Sequence, residues 1–231
     1  MSQSKAICLL SGGLDSSTVL GVIMKEPNDV KALTIHYGQR HEREILSARG
    51  IAKYFGVEHI ELEFKMPWGG SALLDSKIPL PKNRDEKEMS KEIPATYVPA
   101  RNTIFLSLAA SFAESEGAEA IFIGANAIDY SGYPDCREEY FKAFEAMIRK
   151  GTKCGVEGKS IQIKAPLLHM TKSEIIQLGI SLEVPYDLTW SCYQGGEIPC
   201  GECDSCILRA KGFRDAGVND PLLQISNING K

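Results

Sequence analysis

The stretch that most constrains this chain is LLSGGLDSS, Leu9 to Ser17, set between the apolar run Ala6 to Leu10 and an amphipathic segment opening at Ser16. The pattern predicts a strand, a glycine turn and the start of a helix. Gly12 and Gly13 can take backbone angles closed to other residues and let the main chain come close to a ligand. Ser16 and Ser17 are then expected to open a helix whose apolar positions Val19, Leu20, Ile23 and Met24 share a face. The first N–H groups of such a helix have no intrahelical partner, and the positive end of its dipole favours an anion. The stretch is therefore expected to be a phosphate site made of Leu10, Ser11, Gly12, Gly13, Leu14, Asp15, Ser16 and Ser17.

The lysine-bearing loop GxxxxGK[ST], which holds β and γ phosphates through its lysine, occurs nowhere in the sequence. SGGLDS matches instead the SGGxDS signature of the PP-loop ATP pyrophosphatases. That resemblance implies that the loop grips the pyrophosphate while a substrate oxygen attacks the α-phosphorus. Asp15 beside a polyphosphate would be repulsive without a cation between them, which points to Mg²⁺. The alternative is that Asp15 and Ser16 merely cap the helix.

After the first helix, Val30 to Tyr37 has strand length and ends in the polar cluster His36, Tyr37, Gly38, Gln39, Arg40 and His41. Glu42 to Phe55 reads as a helix, with Ile45, Ala48, Ala52 and Phe55 on one face and Gly56 as its stop. His59 to Phe64 alternates as a strand. Strand and helix in alternation imply a parallel sheet with helices on its faces. Ligands bind beyond the C-terminal strand ends of such sheets, which makes His36, Arg40 and Glu44 candidates to line the site.

Residues 65–96 carry prolines, charges and little periodicity, and DEKEMSKE at 85–92 reads as a solvated run. The segment is expected to be an excursion or mobile flap over the site. VPARN at 98–102 precedes a helix, Thr103 to Glu116, apolar nearly all round and therefore expected to be buried within the domain or against a second subunit. Arg101 stands at its positive end, where an anion must share the place. A ligand carboxylate, a phosphate or a structural aspartate would serve.

Glu119 to Ala125 reads as a buried strand, followed by the loop from Asn126 to Glu138. Asp129, Tyr130, Ser131, Tyr133, Asp135 and Arg137 in that loop can stack on a flat heterocycle and pair with its ring nitrogens. Turn chemistry alone also accounts for such a composition. A helix is expected from Glu138 to Arg149, a strand from Ser160 to Ala165, and another helix opened by the capping box Thr171 and Glu174. Lys172 in its first turn either reaches a phosphate or is simply exposed.

Four of the seven cysteines, Cys192, Cys200, Cys203 and Cys206, fall within fifteen residues, spaced by seven, two and two intervening positions. Thiols so close in a reducing compartment read as a metal site rather than as disulfides. A closed Cys₄ set suits structural Zn²⁺, with an iron–sulfur cluster as the rival. Cys8, Cys136 and Cys154 are expected to be ordinary thiols. The polar N-terminus runs straight into the first strand and no apolar run of about 18 residues or more occurs, so a cytoplasmic location is expected, with no membrane segment. A net charge of −4 disfavours a large nucleic-acid interface and favours small-molecule partners.

SGGLDSS at 11–17, HYGQRHxxE at 36–44, VPxRN at 98–102, DYSGYPDCR at 129–137 and the CxxCxxC run ending at 206 together resemble, in order and across nearly the whole chain, the QueC family of 7-cyano-7-deazaguanine synthases. The resemblance implies an α/β protein: a parallel-sheet, Rossmann-like PP-loop domain of the adenine nucleotide alpha hydrolase-like kind over 1–186, with a small C-terminal zinc-binding region over 187–231. It further implies a ligase that converts 7-carboxy-7-deazaguanine and ammonia, with ATP and Mg²⁺, into the nitrile in queuosine biosynthesis, working as a homodimer. Asp15, Lys172 and Arg101 are then the catalytic candidates, and His36, Arg40 and the 129–137 loop residues the substrate contacts. Two other classes stay open. A tRNA-thiolating PP-loop enzyme should carry a redox-active cysteine pair near the ATP loop and a basic face, and a zinc-bearing regulator would bind a nucleotide without turnover.

Overall fold

The computed structural model describes residues 4–26, 28–128 and 133–224. Five parallel strands form one sheet in the order β3-β2-β1-β4-β5, with β1 Lys5–Leu9, β2 Asp29–His36, β3 Glu58–Glu63, β4 Ala120–Phe122 and β5 Gln162–Lys164. From β1 the chain builds outward through β2 to β3, then returns to the other side for β4 and β5. The crevice where that order reverses, between the C-terminal ends of β1 and β4, is where such sheets take ligands.

Strand β1 is apolar at every central position because both of its faces are covered. Ile7 and Leu9 point to the face packed by Leu106, Ala109 and Ala113 of α4 (Arg101–Glu116) and by Phe141 and Phe144 of α5 (Glu138–Gly151). Ala6, Cys8 and Leu10 point to the opposite face. There they meet Leu20 and Ile23 of α1 (Leu14–Met24), Ala48 and Ile51 of α2 (Arg43–Phe55), and Ile175 and Ile176 of α7 (Lys172–Ser181). The short helices α3 (Glu86–Lys91) and α6 (Lys153–Val156) lie outside these layers, and α8 (Asp204–Asp215) packs on α7.

Several boundaries differ from expectation. Helix α1 opens at Leu14 with Gly13 as its N-cap, so Asp15 and Ser16 sit inside its first turn, and neither side chain caps it. Met24 falls off the packed face and is 37% exposed. Helix α4 begins at Arg101, and Ile104, Phe105, Leu108 and Phe112 along it are only half-buried. The excursion is not a loose flap: Ser71, Ala72, Leu73 and Thr96 are buried, and its solvated run forms α3 behind an Asp85–Glu88 capping box. It runs across to the cysteine region, where Lys82 bridges to Cys203, the Asn83 N–H donates to the Glu202 carbonyl at 2.8 Å, and Arg84 pairs with Asp204.

Helix α8 is tied down by one buried ion pair. The Arg209 guanidinium gives two N–H groups to Asp220 (2.6 and 2.9 Å), one to the Tyr186 carbonyl (3.0 Å) and two contacts to the Thr189 and Ser191 hydroxyls (2.8 and 3.3 Å). Both partners are nearly inaccessible, so removing one leaves a buried charge uncompensated. Arg209→Met is expected to cost about 3–5 kcal/mol in urea unfolding. The Arg209→Met, Asp220→Leu pair should recover most of that loss. A single variant within about 1 kcal/mol of the parent would show the pair to be idle.

Candidate active site and metal centre

Between β1 and α1 the chain turns through Ser11, Gly12 and Gly13. Gly12 lies at φ +82°, and a Cβ there would fall 2.5 Å from the Ala48 nitrogen and against the Glu44 carbonyl. Its missing side chain therefore lets the loop pack on the start of α2 rather than admit a ligand. Gly13, at φ −77° and ψ 168°, needs no glycine geometry; its Cβ direction meets only Ser11 Oγ at 3.3 Å and the Trp190 carbonyl at 3.6 Å. The Ser11 N–H donates to Ser16 Oγ (3.2 Å), and the Ser16 and Ser17 hydroxyls both donate to the Gly13 carbonyl (3.2 and 2.8 Å). The N–H groups of Leu14, Asp15 and Ser16 make no hydrogen bond among the described residues. A third glycine matters as much: a Cβ on Gly124 would lie 2.8 Å from the Ser16 nitrogen, so the chain leaving β4 runs directly against the start of α1.

These elements frame a cavity of about 230 Å³. Leu10, Ser11, Gly13, Leu14, Asp15 and Ser16 line it, while Gly12 and Ser17 lie behind the loop and do not. Arg101, Lys172, Tyr133 and Glu44 line it as well. His36 and Arg40 do not. His36 Nε2 is 2.8 Å from Glu61, a carboxylate also held by both arms of Arg49 at 2.6 and 2.8 Å. Arg40 is turned to the excursion, donating to the Asp75 and Ile78 carbonyls at 3.0 and 2.9 Å. Asp135 serves α4 instead, its Oδ2 accepting the Asn102 N–H at 3.1 Å. It is thus the structural aspartate that meets the positive helix end beside Arg101. Arg137 is exposed with Glu139 as its ion-pair partner. Asp129, Tyr130 and Ser131 lie outside the described residues.

Charge in the cavity falls into two pairs of groups. Lys172 Nζ sits 2.8 and 2.9 Å from the two oxygens of Asp15, and both side chains are mostly covered, so of the two alternatives for Lys172 simple exposure is ruled out. At the other end, burial works against the Arg101 charge, but Tyr37, Tyr133 and Cys136 around it more than offset this and hold the guanidinium protonated. Glu44, in the first turn of α2, is pushed by burial up to about 7, with Arg101 pulling the other way. Burial likewise raises the Cys136 thiol to about 11, so it stays protonated at neutral pH.

The four cysteine sulfurs lie within 4.8 Å of one another, and Cys200 Sγ and Cys206 Sγ are 4.0 Å apart. Metal–sulfur bonds of about 2.3 Å in a tetrahedron place sulfurs about 3.8 Å apart, so the set can close on one ion with little movement. Backbone N–H groups of Gln194 and Cys200 point at Cys192 Sγ (3.4 and 3.3 Å), and that of Cys203 at Cys200 Sγ (3.4 Å), as suits anionic sulfur. Cys203 is the N-cap of α8 and Cys206 lies in its first turn.

Reading the sequence missed the wall that the cysteine region supplies. Trp190, Ser191, Tyr193, Ser205 and Leu208 line the cavity, and the Trp190 N–H donates to the Gly12 carbonyl at 3.0 Å, joining this region to the phosphate loop. No motif carries that contact. Asn126, placed just after a strand end, donates its amide to the Leu167 and Met170 carbonyls at 3.2 and 2.5 Å and fixes the chain that leads to Lys172.

A parallel Rossmann-like sheet, a lysine-free SGGLDS loop at its switch point and a four-cysteine cluster beside that loop define a protein of the PP-loop fold. The chain belongs to the family of the queuosine biosynthesis protein QueC, whose model matches residues 5–217. It is 54% identical over 222 residues to the 7-cyano-7-deazaguanine synthase of Thermoplasma acidophilum, covering 96% of this chain and 92% of that one. It is 56% identical over 221 residues to the enzyme of the same name from Trichodesmium erythraeum, covering 95% and 100%. Among solved structures, an NMN synthetase from Francisella tularensis aligns with a TM-score of 0.50 at 15% identity, over 94% of this chain and 79% of that one, a likeness of fold alone.

Proposed function

We propose that this chain is an ATP-dependent carbon–nitrogen ligase that converts 7-carboxy-7-deazaguanine and ammonia into 7-cyano-7-deazaguanine, the queuosine precursor. The observation that carries this is identity above one half, over more than nine tenths of the chain, with two proteins bearing that name. The site fits the chemistry. The free N–H groups at α1 suit a pyrophosphate, and Lys172, displaced from Asp15, can neutralise it as it departs while Asp15 takes Mg²⁺. Arg101 suits the substrate carboxylate, and the rings of Tyr37, Phe105 and Tyr133 suit a flat heterocycle. The cysteine cluster is assigned to structural zinc in a C-terminal region over 187–231, whose role is to hold the Trp190 to Leu208 wall. Among the described residues no helix is long and apolar enough to cross a membrane; a cytoplasmic homodimer is part of the proposal. The thiolation alternative fits less well, since among the described residues Cys136 is the single thiol lining the cavity and it is protonated.

Making a nitrile from an acid replaces both carboxylate oxygens with one nitrogen, and hydroxide is too poor a leaving group for either loss at neutral pH. Each oxygen therefore attacks an α-phosphorus. The first round gives an acyl adenylate that ammonia converts to the amide, and the second turns the amide oxygen into AMP oxygen as the nitrile forms. The sequence holds one SGGLDS loop, so both rounds use it. In a single-turnover reaction a primary amide should rise and fall before the nitrile, and ¹⁸O from labelled carboxylate should appear in AMP. Label in orthophosphate, with ADP as product, would overturn the adenylation route.

A further inference from the structure

Gly212 is out of place by local chemistry. It lies buried in α8, and its φ is not positive, so the backbone there is one that any residue adopts. Glycine is the poorest helix former after proline, and on propensity alone alanine would serve better. What leaves no room for a side chain is Lys172. A Cβ on Gly212 would fall 2.3 Å from Lys172 Cγ, 3.0 Å from Lys172 Cβ and 2.9 Å from Ile176 Cδ1. Gly212 is thus a notch in α8 that receives the stem of Lys172, the first residue of α7. Gly50 in α2 makes the contrast: the nearest atom to its Cβ direction is Leu188 Cδ1 at 3.8 Å, so its neighbours do not require a glycine.

We propose that Gly212 is a positioning residue for the adenylation step: its missing side chain seats the Lys172 stem and so aims the ammonium at the glycine turn before α1, where the pyrophosphate departs. The assignment rests on the ligase reading above and deepens it, since it names what holds the neutralising charge in place. The far end of a lysine can swing aside from an obstacle, but its Cβ is fixed to the backbone and its Cγ moves only by rotation about χ1. That rotation carries Cδ, Cε and Nζ with it. With the notch open, the stem passes α8 and Nζ reaches both oxygens of Asp15, at 2.8 and 2.9 Å, on the wall that Ser11, Gly13 and Ser16 also line. The notch itself is held firmly, because α8 starts at the cysteine cluster and is tied by the buried Arg209–Asp220 pair. A charge carried by α7 is therefore aimed by the helix that the cysteine region anchors.

The experiment compares the parent protein with Gly212→Ala, Lys172→Ala, the double variant and Gly50→Ala. The first readout is exchange of labelled pyrophosphate into ATP that depends on the deazapurine acid. In Gly212→Ala its kcat should fall about tenfold to 100-fold, the scale of loss when a catalytic group is misplaced by an ångström, with the KM for the acid unchanged. In the Lys172→Ala background the same substitution should cause no further fall, because the group it misaims is gone. Gly50→Ala should exchange like the parent. The second readout is the rate at which formaldehyde and cyanoborohydride methylate Lys172, followed by mass spectrometry. The parent lysine, 11% exposed and paired with Asp15, should react slowly, and Gly212→Ala should speed it. Should Gly212→Ala not fold, the double variant, from which the 2.3 Å contact is absent, should unfold at the urea midpoint of Lys172→Ala alone. Parent-like exchange and methylation in Gly212→Ala, or an equal further fall in the Lys172→Ala background, would overturn the assignment. Absence of acid-dependent exchange in the parent would overturn the ligase reading, and the methylation rates would still decide whether Gly212 aims Lys172.

Discussion

Cys203→Ser is expected to yield a protein that retains no stoichiometric metal, loses amide-exchange protection over 190–206 and makes no nitrile. The sulfur of Cys203 is wholly buried among the other three, and its residue caps α8 and bridges to Lys82. A structural zinc contributes roughly 10–16 kcal/mol in small peptides, as much as the entire stability of many domains. The cluster is surrounded by little apolar packing of its own, chiefly Trp190 and half-buried Tyr193 and Leu222, so the cysteine loop depends on the metal, whereas α8 keeps its Arg209–Asp220 pair and the packing of Phe213. Its collapse should travel two ways. The wall made by Trp190, Ser191, Tyr193 and Ser205 would leave the cavity, and the excursion would lose its anchors at Lys82 and Arg84. Cys154→Ser, outside the cluster, should change neither metal content nor turnover. Full activity and protection in metal-free Cys203→Ser would refute a structural metal. A brown protein carrying iron and sulfide would replace zinc with a cluster.

The sheet was legible because burial writes itself into short strands. Ala6 to Leu10 is apolar at consecutive positions, as a strand covered on both faces requires, Val30 to Tyr37 is interrupted only by Lys31, Thr34 and His36, and Gly56 at φ +66° ends α2 where a glycine stop was expected. Helix starts were read less well. Serines at 16 and 17 look like caps, yet their hydroxyls bond back to the Gly13 carbonyl from within the helix, a use that residue type alone does not distinguish. The packing of the 65–96 excursion, whose Leu73 lines the cavity, was not legible for a different reason. It is held by isolated buried residues such as Leu73 and by pairs reaching across more than a hundred residues, including Arg84 with Asp204, and neither produces a local period.

In the site, the same division holds. The glycine turn into α1 is contiguous and so was visible as a turn, and the four cysteines announce themselves by spacing. His36 and Arg40 were drawn into the expected site by their place after a strand, but a strand end has two sides, and both side chains point away, to Glu61 and to the excursion. Tyr37 and Glu44, from the same cluster, point in. Which way each turns is decided by α2 and β3 packing around them, a tertiary fact. Trp190 and Arg209 enter the site only because α8 folds back on α7, and no feature of residues 187–217 alone foretells that.

Gly12→Ala and Gly13→Val should fail in different ways, although the two glycines look equivalent in sequence. At Gly12 the backbone lies at φ +82°, and the added Cβ meets backbone atoms of Glu44 and Ala48 rather than any side chain able to swing aside. Strain at positive φ and overpacking each cost about 1–3 kcal/mol, so a loss of roughly 2–6 kcal/mol is expected in urea unfolding. Gly13 has an extended backbone that valine adopts readily, and its Cβ direction is bounded only by Ser11 Oγ and the Trp190 carbonyl. That variant should unfold within about 1 kcal/mol of the parent, as substitutions without a packing clash usually do. Its methyl groups would instead occupy the space in front of the α1 N–H groups, where the proposed phosphate site lies. Calorimetric titration with ATP should then show clearly weakened binding, since the valine fills space the phosphates would need. Unchanged ATP affinity in Gly13→Val would mean that the phosphates bind elsewhere. Parent-like stability in Gly12→Ala would mean that the loop does not pack on α2 as tightly as its geometry requires.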